Sequence, residues 1–144
     1  MIKINIPEVP GKIISVLEKY GYEAYVVGGC VRDALLSREP NDWDVTTSCP
    51  AVFTKEIFDK TDGFDAHPTG IEHGTVTVCH MGQAVEVTTF RRDMGYTDHR
   101  HPSAVFFSED LREDLARRDF TVCAMAYSDR FGLVDIYGGV GDIE

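Results

Sequence analysis

Residues 25–44 constrain this chain more than any other stretch. They read Tyr-Val-Val-Gly-Gly-Cys-Val-Arg-Asp-Ala-Leu-Leu and then, after a short gap, Pro-Asn-Asp-Trp-Asp. The pattern predicts a short apolar strand at 24–27, a turn at Gly28-Gly29, a helix over 31–37, a loop holding Pro40, and a second strand over 42–46. Glycine lacks a Cβ, so the turn lets backbone N–H groups come close to an anion. The helix that follows turns its free N–H groups and positive dipole end to the same place. Arg32 adds a planar donor fork suited to phosphate oxygens. Asp42 and Asp44 stand two apart on an expected strand, where alternate side chains share a face, so both carboxylates should point the same way. A phosphate cradle opposite paired carboxylates is an arrangement that metal-assisted phosphoryl transfer can use.

The rest of the chain supplies a mixed α/β frame for that unit. Ile13, Ile14, Leu17 and Tyr20 fall at helical spacing within 10–21, with Gly21 as the expected C-terminal stop. A helix is expected over 51–60, capped by Ser48 or Thr47, with Val52, Phe53, Ile57 and Phe58 inward. Alternating valines predict a strand at 74–80, a turn at 81–83 and an antiparallel partner at 84–90. On that partner Glu86 shares a face with Thr88 and Phe90. Two readings of Glu86 stay open: a solvated carboxylate on an edge strand, or a third acid beside Asp42 and Asp44.

Residues 91–107 show no clean period until their end and are long for a loop. Ser108 should open a helix, with Asp110 close behind. A break near Arg118 should precede another helix over 120–127. Arg117-Arg118-Asp119 at that break reads either as a helix-end ion pair or as a guanidinium aimed at a nucleotide. A last strand is expected at 133–136, with a glycine-rich turn to 141 and a further helix only beyond the end.

Composition narrows the function classes. A net charge of −10 argues against a general nucleic-acid binder. Even so, six of the fourteen Lys and Arg residues fall between Arg91 and Arg118, so one basic stretch can meet a phosphate. The four cysteines (Cys30, Cys49, Cys79, Cys123) are scattered, which favours free buried thiols over a zinc site. No apolar run approaches the ~20 residues of a membrane span, and the N-terminus lacks a signal-peptide layout. The expectation is a cytoplasmic protein with no membrane partner.

Taken in order, the motifs Val27-Gly28-Gly29-Cys30-Val31-Arg32-Asp33, Asp42-Trp43-Asp44, Glu86-Val87-Thr88-Thr89-Phe90-Arg91, Glu113-Asp114-Leu115-Ala116-Arg117-Arg118-Asp119-Phe120-Thr121, Ala124-Met125-Ala126 and Asp135-Ile136-Tyr137-Gly138-Gly139 form a set. With Tyr96 and Arg100-His101-Pro102 they span nearly the whole chain. In this the chain resembles the catalytic head of class II CCA-adding tRNA nucleotidyltransferases and the related bacterial poly(A) polymerases.

The resemblance implies a polymerase-β-like nucleotidyltransferase fold of the α/β (α+β) class, a mixed sheet flanked by helices. It implies template-independent transfer from CTP or ATP to the 3′ end of tRNA. It implies two Mg²⁺ ions on Asp42 and Asp44, with Glu86 as the third catalytic carboxylate. Gly28, Gly29 and Arg32 match the triphosphate motif, and Arg118 matches a nucleotide-binding arginine. Residues 91–107 match a loop that helps the site change from CTP to ATP.

Cys123 stands where relatives commonly carry Asn. The family's base-selecting neck and its body and tail helices have no counterpart in these 144 residues. The chain is therefore expected to be a head domain over 1–144, with weak base selectivity and poor tRNA addition by itself. Self-association through apolar surface near Val134, Ile136 and Tyr137 is expected as well. Two rival readings remain: a poly(A), CC-only or A-only enzyme on the same fold, and a nucleotide-binding module without turnover.

Overall fold

A computed structural model describes residues 2–92, 106–118 and 121–143. Expectations for residues 93–105, Asp119 and Phe120 lie outside the described residues.

The chain opens with α1 (Glu8–Lys19), β1 (Ala24–Val27), α2 (Gly29–Leu35), β2 (Asp44–Thr47) and α3 (Ala51–Asp59). Next come β3 (Phe64–Gly70), a 3-10 turn (Ile71–His73), β4 (Thr75–His80), β5 (Gln83–Thr89) and the short pair β6 (Arg91–Arg92) and β7 (Phe106–Phe107). Last are α4 (Leu111–Ala116), a 3-10 turn (Thr121–Cys123), β8 (Ala126–Ser128), β9 (Gly132–Val134) and α5 (Gly139–Ile143). Seven strands form one mixed sheet in the order β3-β4-β5-β2-β1-β8-β9. Only β2 and β5 run parallel; the other neighbours are antiparallel. The mixed sheet flanked by helices is the expected fold class.

Both faces of the sheet are covered near its middle, which explains why β1 is buried throughout. Ala24 and Val26 join the larger core with Ile13, Leu17, Phe58, Val76 and Val87 from α1, α3 and the strands. Tyr25 and Val27 face the other way and pack with Phe90, Leu111 and Leu115 beneath α4. A continuous apolar run is what a strand buried on both faces requires.

Several local expectations need correction. Asp42 precedes β2, which starts at Asp44 rather than at 42, yet the expected alternation persists: Trp43 and Val45 are buried in the core while Asp42 and Asp44 are exposed. Pro50, rather than Ser48 or Thr47, occupies the start of α3. Val52 and Phe53 are exposed, and Thr54 takes the inward position with Ile57 and Phe58. Tyr20 is also exposed. Asp110 caps α4 by accepting from the Arg112 backbone N–H, and Ser108 lies outside the helix.

β3 was not expected. It is an edge strand with a central Pro68, a residue that weakens any strand signal and that sheets tolerate at edges. The segment expected as a helix over 120–127 instead holds a 3-10 turn followed by β8, because Val26 and Val27 offer it a pairing partner. Helix α5 begins within the glycine-rich stretch that was read as a turn. Cys79 and Cys123 are only partly buried, unlike Cys30 and Cys49.

Candidate active site

The backbone bend at Gly28 sits at the end of β1. Its φ of 84° and ψ of −137° lie in a region that side-chain-bearing residues avoid. The bend is held from below by its own N–H, which donates to the Met125 carbonyl at 3.1 Å. Its carbonyl accepts from the N–H groups of Val31 and Arg32 and so starts α2. The first N–H groups of that helix have no acceptor within it. Cys30 and Val31 anchor the helix in the core.

Two guanidinium groups flank this bend. A Cβ built on Gly28 would lie 3.4 Å from Arg118 Nη1, and one on Gly29 would lie 3.4 Å from Arg32 Nη2. Arg32 is steered by its neighbours: Nε donates to Asp33 Oδ1 at 3.1 Å, and Nη1 approaches Cys123 Sγ at 3.7 Å. The ion pair with Asp33 raises the Arg32 pKa, so its charge is secure.

The acids arrive from the adjoining strands. Asp44 pairs in register with Val27, the residue before the bend. On its other side it pairs with Glu86 across the parallel β2–β5 ladder. Neighbouring strands stand ~4.8 Å apart, so these carboxylates spring from adjacent backbone positions. Val45 and Val87 go into the larger core, which leaves Asp44 and Glu86 on the opposite face, shared with Thr46 and α4. Of the first reading of Glu86 the edge position fails, because β5 lies between β4 and β2, while its exposure to solvent holds.

Electrostatics tie the group together. The Asp44 pKa is raised, first by loss of water around it and then by the charge of Glu86. Asp42 pushes it further in that direction, and Arg118 opposes them. Asp44 thus feels Glu86, Asp42 and Arg118, although it keeps contact with solvent. The Cys30 thiol is pushed up as well, chiefly by burial.

One residue in this region escaped the sequence reading. Asp114 on α4 is fully buried and both its oxygens are engaged. Oδ1 accepts from the Arg91 backbone N–H at 3.0 Å and from Arg117 Nε at 3.4 Å. Oδ2 accepts from Thr46 Oγ1 at 3.4 Å and Arg118 Nη2 at 3.3 Å. The available signal was its spacing, three and four residues ahead of two arginines on one helical turn. The helix-end ion pair expected of Arg117-Arg118 is present, to Asp114, and Arg118 also lies beside the bend.

A divalent cation would find hard oxygen donors here. Among the described residues, no three His, Cys, Asp or Glu side chains converge as a ready three-ligand site. That donor set suits Mg²⁺, which binds through one or two carboxylates and completes its shell with water and substrate phosphate. The like charges that raise the Asp44 pKa are what such an ion would relieve.

Residues 24–144 match the model of the poly(A) polymerase head domain. The chain is 46% identical over 147 residues to a CCA-adding enzyme of Lactobacillus delbrueckii subsp. bulgaricus, covering 100% of this chain and 36% of that protein. It is 47% identical over 127 residues to the CCA-adding enzyme of Staphylococcus haemolyticus, covering 88% of this chain and 30% of that one. Among solved structures, the CCA-adding enzyme of Bacillus stearothermophilus in complex with CTP superposes with a TM-score of 0.78 at 40% identity. That match covers 95% of this chain and 32% of the other. A tRNA nucleotidyltransferase bound to a primer tRNA and an incoming ATP analog gives a TM-score of 0.70 at 32% identity, over 91% and 36% of the two chains. The chain thus spans about a third of the length of the curated relatives it matches. On fold, motif order and sequence together, the chain belongs to the poly(A) polymerase head-domain family that includes the CCA-adding enzymes.

Proposed function

We propose that this chain is the catalytic head of a tRNA nucleotidyltransferase of the CCA-adding kind, transferring CMP and AMP from CTP and ATP to a tRNA 3′ end. The observation that carries the reading is the pairing of Asp44 with Glu86 beside a glycine bend flanked by Arg32 and Arg118. The relatives' names and bound ligands support the substrate classes.

In this reading Asp42 and Asp44 would hold Mg²⁺. When bound, the metal supplies Lewis-acid stabilisation to the reacting phosphate and to the attacking and leaving oxygens. Glu86, adjacent to Asp44, orients the primer 3′-hydroxyl or takes its proton as the oxygen attacks the α-phosphate. The bond to pyrophosphate breaks as the new ester forms. The growing charge on pyrophosphate meets Arg32, Arg118 and the Gly29 amide at the start of α2, the Gly28 amide being held by the Met125 carbonyl.

These 144 residues span about a third of the length of their relatives, and base choice by them alone should be weak. The test is addition to a tRNA lacking its terminal CCA, with CTP and ATP offered separately and together with Mg²⁺. Label incorporation that disappears on Asp44→Asn supports the reading. Nucleotide binding without incorporation, unchanged after joining the chain to a relative's remaining domains, would make it a binding module instead.

A further inference from the structure

We propose that Asp114 is a positioning residue for nucleotide binding, fixing the Arg118 guanidinium against the Gly28 bend. The inference deepens the transferase reading and rests on it for the identity of the ligand. Three observations converge. Asp114 is 0% exposed, an expensive place for a carboxylate unless its partners are fixed. It grips Arg118 by Nη2, while Nη1 of the same group lies 3.4 Å from the position a Gly28 Cβ would take. The guanidinium is planar and rigid, so fixing one nitrogen and the side-chain root sets where the other points.

The third observation concerns unused capacity. Arg118 Nε is buried and has no acceptor among the described residues. Arg117 also pairs with Asp114, so one buried carboxylate faces two guanidinium groups. Through Thr46 the same carboxylate reaches β2, two residues from Asp44 and on the same face. Asp114 thereby registers the anion-binding arginine against the metal-binding strand without touching substrate. A carboxylate serving only to fasten α4 to β2 and β6 would be satisfied by Thr46 and the Arg91 backbone N–H, with no need to orient Arg118.

The experiment has two readouts on this 144-residue chain. Nitrogen-15 NMR of the Arg118 guanidinium reports its rotation without any ligand. Titration with ATP and Mg²⁺ gives a Kd for the unsubstituted chain, Asp114→Asn, Arg118→Gln and the double variant. The expected result is a restrained Arg118 signal that becomes averaged in Asp114→Asn. The Kd should rise roughly tenfold in each single variant, the scale of one lost charge-assisted hydrogen bond. The double variant should exceed Arg118→Gln by no more than about twofold, because both changes remove the same interaction.

An unchanged Arg118 signal in Asp114→Asn, or two effects on Kd that multiply, overturns the proposal. A purely structural Asp114 would lower the melting temperature while leaving both readouts unchanged. If Asp114→Asn does not fold, the unsubstituted chain decides: a freely rotating Arg118 overturns the proposal, and a restrained one supports it. If the unsubstituted chain binds no ATP, the transferase reading fails while the NMR readout still judges Asp114.

Discussion

Asp44 and Glu86 are direct neighbours across the only parallel strand pair of the seven-stranded sheet. Their charges repel, and Arg118 from beyond α4 offsets part of that repulsion at Asp44. A like-charged pair of this kind gains most from a divalent cation.

Replacing Asp44 with Asn keeps the shape and removes a ligand charge. Mg²⁺-dependent incorporation should fall by at least about a hundredfold, the scale of losing a major electrostatic contributor. Mg²⁺ should raise the melting temperature of the unsubstituted chain and leave that of Asp44→Asn nearly unmoved. Radiolabel incorporation and thermal scans with and without the ion check both parts.

The raised Asp44 pKa fixes the sign of a pH effect. The folded state holds this proton more tightly than the unfolded chain does. Its contribution to stability is therefore fully present below the ordinary value near 3.8 and is lost as pH rises through the higher folded value. Asp44→Asn should accordingly be stabilised relative to the unsubstituted chain at about pH 7, and less so near the ordinary aspartate pKa of about 3.9. Denaturant midpoints at the two pH values, without metal, measure the difference.

Gly28 cannot easily carry a side chain. Its backbone angles are unfavourable for any L-residue, and an added Cβ would press toward Arg118 Nη1 at 3.4 Å. Gly28→Ala should cost about 1–3 kcal/mol of stability through backbone strain. It should also weaken triphosphate binding by displacing Arg118. Chemical denaturation and ATP titration on the same sample separate the two effects.

The surface around β9 is apolar: Phe131, Ile136 and Tyr137 are 47%, 44% and 44% exposed, respectively. Such a patch favours association. Sedimentation should show concentration-dependent dimers or larger species of this chain, diminished by Ile136→Lys. A sedimentation coefficient that is constant with concentration would remove this surface from consideration.

Much of the site was legible from residue type and spacing. The strand through Val27, the glycine bend and the hairpin around Met81-Gly82 follow from short-range rules; both hairpin residues have positive φ, as a tight primed turn needs. What escaped depends on partners distant in sequence. Residues 126–128 are built of fair helix formers and became a strand because β1 stood unpaired on that side. β3 hid behind Pro68 and polar residues that only an edge admits. Val52 and Phe53 misled because hydrophobicity alone does not say which helix face meets the core. The role of Asp114 was hidden in part for the first reason, since two of its four partners, Thr46 and the Arg91 backbone, come from β2 and β6.

The parallel pairing of β2 with β5 joins segments about forty residues apart, with α3 and a whole antiparallel hairpin between them. The acid pair therefore cannot come together in a nascent or half-assembled chain, since non-local contacts form only once the intervening loop has closed. Under the proposed function, chelating power would come only with the completed architecture, so affinity for the ion would double as a gauge of how many molecules in a preparation have reached the native state.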